Sequence, residues 1–255
     1  LLLVVHHIVA DGWSMGILAR ELGALYAAFC KGQPSPLAAL PIQFADYAVW
    51  QRRRLEGPSA EGDLAYWREQ LKELQVLQLP TDRARPARLN YHGARERFEI
   101  EPSVLAELKA LARRENVTLY MLLLGAFQVL LMRYSGQHDV VVGSPVAGRH
   151  RTELEGLIGY FVNTLVLRSD LSDSPSFVEL LARVRQVCLD AYAHQELPFD
   201  RLVAEISPQR DPSRNPLYQV LFTLQNMPAS ALALGELRAQ RLPLEPEKGR
   251  PVEPP

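Results

Sequence analysis

The sequence predicts an α/β fold in which a mixed β-sheet is flanked by helices. Apolar residues spaced for one helix face run from Phe177 to Ala191. The short apolar run 140–142 is typical of a buried strand, and predicted strands and helices alternate along the chain. Of the 255 residues, 47% are hydrophobic and 22% charged, which is ordinary for a globular chain with a sizeable core.

Helices are predicted where apolar residues recur at intervals of three and four. We expect them near 14–29, 42–55, 63–74, 102–111, 118–134, 174–191 and 199–206. Ser14 is expected to cap the first helix, Pro102 to lie in the first turn of the fourth, and Gly136 to end the fifth.

Strands are predicted from apolar runs or from alternation of apolar and polar residues. They are expected at 1–7, 94–101, 140–142, 163–170 and 218–226. The irregular, proline-punctuated stretch 80–88 is the best candidate for an internal boundary.

Charge and cysteine usage narrow the class of protein. Lys and Arg total 28 against 29 Asp and Glu, so the net charge of -1 gives no reason to expect a nucleic-acid or membrane partner. The longest apolar run, 117–132, is interrupted by polar residues and is interpreted as a buried helix. Cys30 and Cys188 form neither a metal-spaced cluster nor a disulfide framework, and no signal peptide is visible. We therefore expect a cytoplasmic protein without a metal site.

The densest polar cluster, 6–14, leaves a predicted strand and enters a helix. Neighbouring side chains on a strand point to opposite faces, so His6 and His7 are expected to divide into one working and one packing histidine. A partly dry site keeps the His7 imidazole neutral and able to accept a proton. The turn at Asp11-Gly12 leads to a helix start whose amides could stabilise an oxyanion. The alternative, about equally favoured, is that one histidine caps the turn and the other is a core residue.

A second interpretation of the same segment is a serine hydrolase. Residues 12–16 match the G-x-S-x-G pattern of a nucleophile elbow, with Ser14 as the nucleophile. However, residues 8–11 separate this pattern from the predicted strand, and no downstream Asp and His are recognisably arranged as a triad. We weigh this interpretation below the histidine site.

Five ordered motifs carry a resemblance to a known family. They are His6-His7-x-x-x-Asp11-Gly12, 44–50 (FADYAVW), 158–164 (IGYFVNT), 194–200 (HQELPFD) and 210–219 (RDPSRNPLYQ). Together they resemble the condensation domains of nonribosomal peptide synthetases, which are chloramphenicol acetyltransferase-like.

The resemblance implies a fold and a reaction. The family has two chloramphenicol acetyltransferase-like lobes arranged in a V with a tunnel between them. Donor and acceptor peptidyl carrier proteins bring substrates tethered to phosphopantetheine, and the acceptor amine attacks the donor thioester to form an amide. No cofactor is then bound directly, and a neighbouring adenylation domain in the same chain is implied. The HHIVADG form of the first motif favours an ordinary amide-forming type with an L-configured donor.

The resemblance also implies roles for individual residues. His7 becomes the catalytic residue, beside His6 in the same motif. Asp11 becomes mainly structural through an ion pair with an arginine, and Gly12 is placed beside the reacting centre. Three further residues are assigned to the substrate and phosphopantetheine tunnel: Trp13, Ser14 and Asn163.

The chain departs from the full family pattern in extent. It opens with Leu in a predicted strand, so residues 1–80 are expected to be the end of the first lobe, 81–226 the second lobe and 227–255 an incomplete C-terminal segment. Most of the first lobe, and with it the arginine partner of Asp11, is then expected to lie outside this chain. An isolated fragment of this kind is expected to be inactive, and a non-catalytic carrier-docking module is the alternative.

Overall fold

The sheet consists of two paired strands, and a third segment joins it through a single residue pair. The computed structural model describes residues 3–88, 93–206, 211–225, 234, 235 and 237. Strand β1 (Asp139–Val146) runs antiparallel to β2 (Asn163–Asp170), with Val142 opposite Leu167. On its other side, Gly143 forms a parallel bridge to Leu221. Both strand directions are therefore present, as the expected mixed sheet requires.

Helices surround this sheet. They are α1 (Gly12–Phe29), α2 (Phe44–Leu55), α3 (Pro58–Gln70), α4 (Pro102–Arg114), α5 (Leu119–Ser135), α6 (Thr152–Glu155), α7 (Phe177–Ala193) and α8 (Phe199–Ile206). Within the described ranges, none of these helices is by itself long and apolar enough to cross a bilayer; α4 and α5 meet that test only as a pair bent by 104°.

Helices α5 and α7 pack together beside the sheet. A Cβ atom at Gly125 of α5 would lie 3.4 Å from Leu181 and 3.7 Å from Val184 of α7, so a glycine lets these helices approach closely. The strands bury their apolar residues against this layer, and Val140, Val142 and Leu167 have no exposed surface. This burial is the main stabilising term of the fold.

Helix α3 belongs to the same core. Trp67 and Leu71 are each 1% exposed and pack in one cluster with the sheet, as does Leu77. The Trp67 indole N–H also donates to the carbonyl of His194 over 3.1 Å. Side chains from both sides of position 80 thus share a core, and the division of the chain into lobes stays a prediction.

Most helix predictions are confirmed, with shifted ends along the chain, and the short α6 was not predicted. Asp11, not Ser14, caps α1, because the Asp11 carboxylate accepts the Ser14 N–H. Helix α3 starts at Pro58 and ends at Gln70, earlier at both ends than expected, since proline is well suited to a first turn. Gly136 ends α5 in the left-handed conformation, with φ 71°, as predicted.

Two strand predictions are wrong and one is reduced to a single bridge. Residues 3–7 and 94–101 form no strand, and Val4 and Phe98 are 83% and 84% exposed. Apolar content and alternation describe only the faces of a strand, whereas its formation also needs a neighbour that accepts its hydrogen bonds. The 218–226 prediction survives at Leu221. Positions 1, 2, 210 and 226, and nearly all of 227–255, lie outside the described residues.

Candidate active site

Asp11 is the centre of a buried network at the start of α1. It is 1% exposed, and its carboxylate accepts the Ser14 N–H over 2.8 Å and the Phe161 N–H over 3.1 Å. Its own N–H donates to the Gly159 carbonyl over 3.1 Å. The Ser14 N–H at the start of the helix therefore donates to the Asp11 carboxylate and is not available to stabilise an oxyanion. Gly12, the first residue of α1, remains exposed.

Arg149 is the ionic partner of Asp11. Its Nη2 lies 3.2 Å from Asp11 Oδ1, and both side chains are fully buried. Its Nη1 donates to the carbonyls of Leu154 and Leu157, and its guanidinium lies 4.0 Å from the centre of the Phe161 ring. The expectation that this arginine lies outside the chain is wrong, because the loop after β1 brings Arg149 to the start of α1.

The network keeps Asp11 ionised. Burial raises the pKa of this carboxyl, but the Ser14 and Phe161 hydrogen bonds and the Arg149 charge outweigh burial and hold the pKa below its ordinary value of 3.8. A charged carboxylate at this position can fix the start of α1 against the 159–161 loop at neutral pH.

Two glycines allow the surrounding loops to come this close. Gly148 has φ +64°, and a Cβ atom there would lie 2.0 Å from the Phe161 carbonyl oxygen. A Cβ atom at Gly159 would lie 2.2 Å from the Phe44 ring of α2. Side chains at these positions would push apart the loops that carry Arg149 and the 159–161 segment.

Ser14 is part of the same buried network. The residue has no exposed surface. Its hydroxyl oxygen accepts hydrogen bonds from the Gly159 N–H over 3.0 Å and from Arg149 Nη2 over 2.9 Å. The hydroxyl itself can donate to Asp11 Oδ1 over 2.7 Å or to the Gly159 carbonyl over 2.8 Å. No histidine contacts the hydroxyl within the described ranges, so this geometry gives no support to a nucleophilic Ser14. The place of Ser14 in the tunnel stays a prediction.

The two histidines occupy different environments, although residues 3–7 form no strand that would alternate their side chains. His6 is exposed, and its Nδ1 accepts the Ile8 N–H over 3.1 Å, so it caps the turn before α1. His7 is half-buried, and its ring stands edge-on to Tyr160 at a centroid distance of 5.3 Å. His7 Nδ1 is buried, and no described residue hydrogen-bonds to it. Of these two histidines, His7 is therefore the half-buried one, and its imidazole, unlike that of His6, is not used in the described hydrogen bonds.

Trp13 holds the short helix α6. Its indole N–H donates to the Glu155 carbonyl over 3.0 Å, and the Arg149 guanidinium lies 5.8 Å from its ring centre. Trp13 is half-buried between these groups. Its indole therefore supports the loop that supplies Arg149, and its place in the tunnel stays a prediction.

Asn163 organises the turn before α8. Its Nδ2 donates to the carbonyls of Gln195 and Leu197, each over 2.8 Å. Its Oδ1 accepts the N–H groups of Thr164 and Phe199, each over 2.9 Å. Both donors and both acceptor positions of the amide are thus used on the backbone. The place of Asn163 in the tunnel stays a prediction.

The family follows from comparison with known proteins. A sequence model described as "Condensation domain" matches residues 1–247. The chain belongs to the condensation-domain family. It is 52% identical over 245 residues to one of the linear gramicidin synthase subunits of Brevibacillus parabrevis, covering 96% of the chain and 5% of that relative. The chain is thus a small part of the length of the relatives it matches.

Solved structures of condensation-type proteins share the fold. The X-domain from teicoplanin biosynthesis, in its complex with OxyB, aligns with a TM-score of 0.79 at 32% identity, over 85% of this chain and 49% of that one. The four-domain nonribosomal peptide synthetase AB3403, bound to AMP and glycine, gives 0.79 at 30% identity over 88% of this chain and 17% of that one. These matches confirm the α/β, chloramphenicol acetyltransferase-like fold of this condensation-family chain.

The residues that complete the Asp11 network are not identified by the sequence. Arg149 lies in the run Gly148-Arg149-His150, beyond the strand end that the apolar pattern marks. The family resemblance implies an arginine partner, and a buried carboxylate needs a cation, but neither signal says which arginine it is. The backbone donor from Phe161 leaves no sequence signal at all, because every non-proline residue carries an N–H.

The lowered pKa of Asp11 predicts a pH-dependent stability. The folded-state pKa lies below the ordinary value of 3.8, so the stabilisation is fully present above that value and is lost as pH falls through the folded-state pKa. We expect the difference in unfolding free energy between the wild type and Asp11→Asn to be constant above about pH 5 and to shrink below about pH 4.

Urea unfolding of both proteins, followed by circular dichroism from about pH 7 down to about pH 3, measures this difference. The comparison with Asp11→Asn removes the contribution of all other carboxyls. A difference that stays constant over the whole range would show that the folded protein does not lower this pKa.

Proposed function

We propose that this chain forms peptide bonds as part of a condensation domain. The acceptor's neutral amine attacks the carbonyl carbon of the donor thioester, a C–N bond forms, and the C–S bond then breaks to release the donor thiol. The proton lost by the amine passes to His7 and from there to the departing sulfur. One observation supports this role most directly: His7 is half-buried and sits just before the Asp11–Arg149 network in a chain of this family.

His7 acts through orientation and proton transfer. Its Nδ1 is buried, which leaves Nε2 as the nitrogen that can meet the amine. A neutral amine is already a good nucleophile, so the imidazole contributes by holding the amine in line and by accepting its proton as the C–N bond forms. Positioning and general-base steps of this kind each contribute about 10²–10⁴-fold or more.

Asp11 and Arg149 serve this reaction as positioning residues. Their buried pair joins the start of α1 to the loops after β1 and α6, and so fixes the backbone that presents His7. Gly12 is exposed at the end of this turn, where a small residue leaves room for substrate. His6 serves the same turn by accepting the Ile8 N–H.

The substrates are proposed to arrive on phosphopantetheine arms. Donor and acceptor peptidyl carrier proteins deliver the two thioesters, and an adenylation domain in the same polypeptide loads them. A thioester tethered in this way has its acyl carbon exposed at the end of a long flexible arm, which suits a histidine reached through a crevice. We place the chemistry in the cytoplasm, in an ordinary amide-forming domain with an L-configured donor.

The test is product formation by the synthetase that contains this sequence. Its donor carrier is loaded with an aminoacyl thioester and its acceptor carrier with a second amino acid, and the acceptor carrier is followed by mass spectrometry. We expect the acceptor carrier to gain the mass of the donor acyl group, and no gain when the donor carrier is left unloaded. Two fully loaded carriers that give no product would overturn the proposal.

A second candidate function is docking without catalysis. The similarity to an X-domain whose structure was solved in complex with OxyB favours it, because that structure shows a related fold holding a partner protein. Docking predicts that the loaded carriers bind, measured by calorimetry, while the acceptor carrier never gains mass. Binding together with mass gain supports the condensation reaction instead.

A further inference from the structure

A cavity of about 390 Å³ lies next to Tyr160, the residue whose ring contacts the proposed catalytic histidine. Its lining comes from three parts of the chain: α2 with Trp50 and Gln51, the segment 160–164, and the turn around Glu196. The segment 160–164 is held in place at its two ends, by the Phe161 bond to Asp11 and by the four bonds of the Asn163 amide.

Tyr160 connects this cavity with His7. Its side chain lines the cavity, and its ring meets the His7 imidazole edge-on, at 5.3 Å and an interplanar angle of 83°. The cavity therefore begins one aromatic ring away from the imidazole.

The lining combines aromatic walls with one polar cluster. The walls carry the rings of Tyr47, Trp50, Phe161 and Phe199. The polar cluster consists of Arg54, His150 and Glu196. The Glu196 carboxylate connects the other two, because it contacts His150 Nε2 over 2.6 Å and also contacts Arg54. Each of these three side chains is between 23% and 31% exposed, so the cluster is accessible to a ligand. Aromatic walls with a few placed polar groups are typical of small-molecule subsites.

We propose that this cavity is the subsite for the side chain of the acceptor amino acid, and that it selects a large side chain with a polar tip. The proposal rests on the proposed function. The acceptor amine is the group that meets His7, and its side chain branches from the carbon next to that nitrogen. The donor side chain lies one atom further from the imidazole, beyond the carbonyl carbon. The aromatic walls would hold the body of the acceptor side chain, and the polar cluster would bind its tip.

Filling the cavity tests its role. Gln51 lines it and hydrogen-bonds only to Tyr47, so Gln51→Trp would occupy the space without opening the core. The intact synthetase is assayed with tyrosyl and glycyl acceptor carriers and one common donor. We expect Gln51→Trp to lower the ratio of the tyrosyl to the glycyl rate by about tenfold or more. Val49→Trp is the matched control, because Val49 is on the same helix but 51% exposed, and the ratio should not change.

The polar cluster is tested by a second variant. Glu196→Gln keeps the size of the side chain but removes its charge, and we expect it to lower the ratio of the tyrosyl to the phenylalanyl acceptor rate. An unchanged tyrosyl-to-glycyl ratio in Gln51→Trp, an equal loss for both acceptors, or a change in donor preference alone would each overturn the subsite. A wild type that gives no product with any acceptor would instead overturn the proposed function, so the two failures are distinguishable.

Discussion

Replacing His7 by alanine is expected to lower the rate of dipeptidyl-carrier formation by about 10²–10⁴-fold. The variant removes the group that we propose orients the amine and accepts its proton. The neighbouring network should persist, since His7 makes no hydrogen bond to Asp11 or Arg149 in the structure. Single-turnover reactions with preloaded carriers, sampled by mass spectrometry, measure the chemical step directly.

His6→Ala is the matched control for this substitution. His6 is exposed and uses Nδ1 to accept the Ile8 N–H, so its loss should loosen the turn and change the rate far less. A His7→Ala rate within about twofold of the wild type would remove this imidazole from the chemistry. A larger effect for His6→Ala than for His7→Ala would assign the roles the other way round.

Replacing Arg149 by methionine is expected to lower the free energy of unfolding by about 3–5 kcal/mol. The change leaves the Asp11 carboxylate buried without its cation, and it leaves the carbonyls of Leu154 and Leu157 without their donor. An unpaired buried charge is costly because the interior solvates it poorly. Urea unfolding near neutral pH, followed by circular dichroism, gives the difference.

Arg114→Met supplies the control, since that arginine side chain is 71% exposed and its loss should cost within about 0.5 kcal/mol. The double variant Arg149→Met with Asp11→Asn should recover part of the loss, because it removes the uncompensated charge. If Arg149→Met were no more destabilising than Arg114→Met, the buried pair would not hold the fold together.

The helices were the best-predicted part of the fold because their signals are local. The apolar stripe of α7 follows a fixed spacing, and the serine before it, Ser176, caps the helix while Glu179 bonds back to it. Strand β2 was predicted at its observed bounds, Asn163–Asp170, and its continuous apolar run Leu165-Val166-Leu167 is buried. The segments 3–7 and 94–101 carry a similar signal, but among the described residues neither pairs with a neighbouring strand.

The sequence alone determined the α/β class, the helical framework and the order of the motifs. These features depend on spacing along the chain, and each can be recognised within a few residues. The tertiary structure decided that Arg149 pairs with Asp11, that Ser14 is buried, and that Tyr160 both contacts His7 and lines a cavity. Those contacts join residues more than a hundred positions apart, and only the packing of the whole chain brings them together.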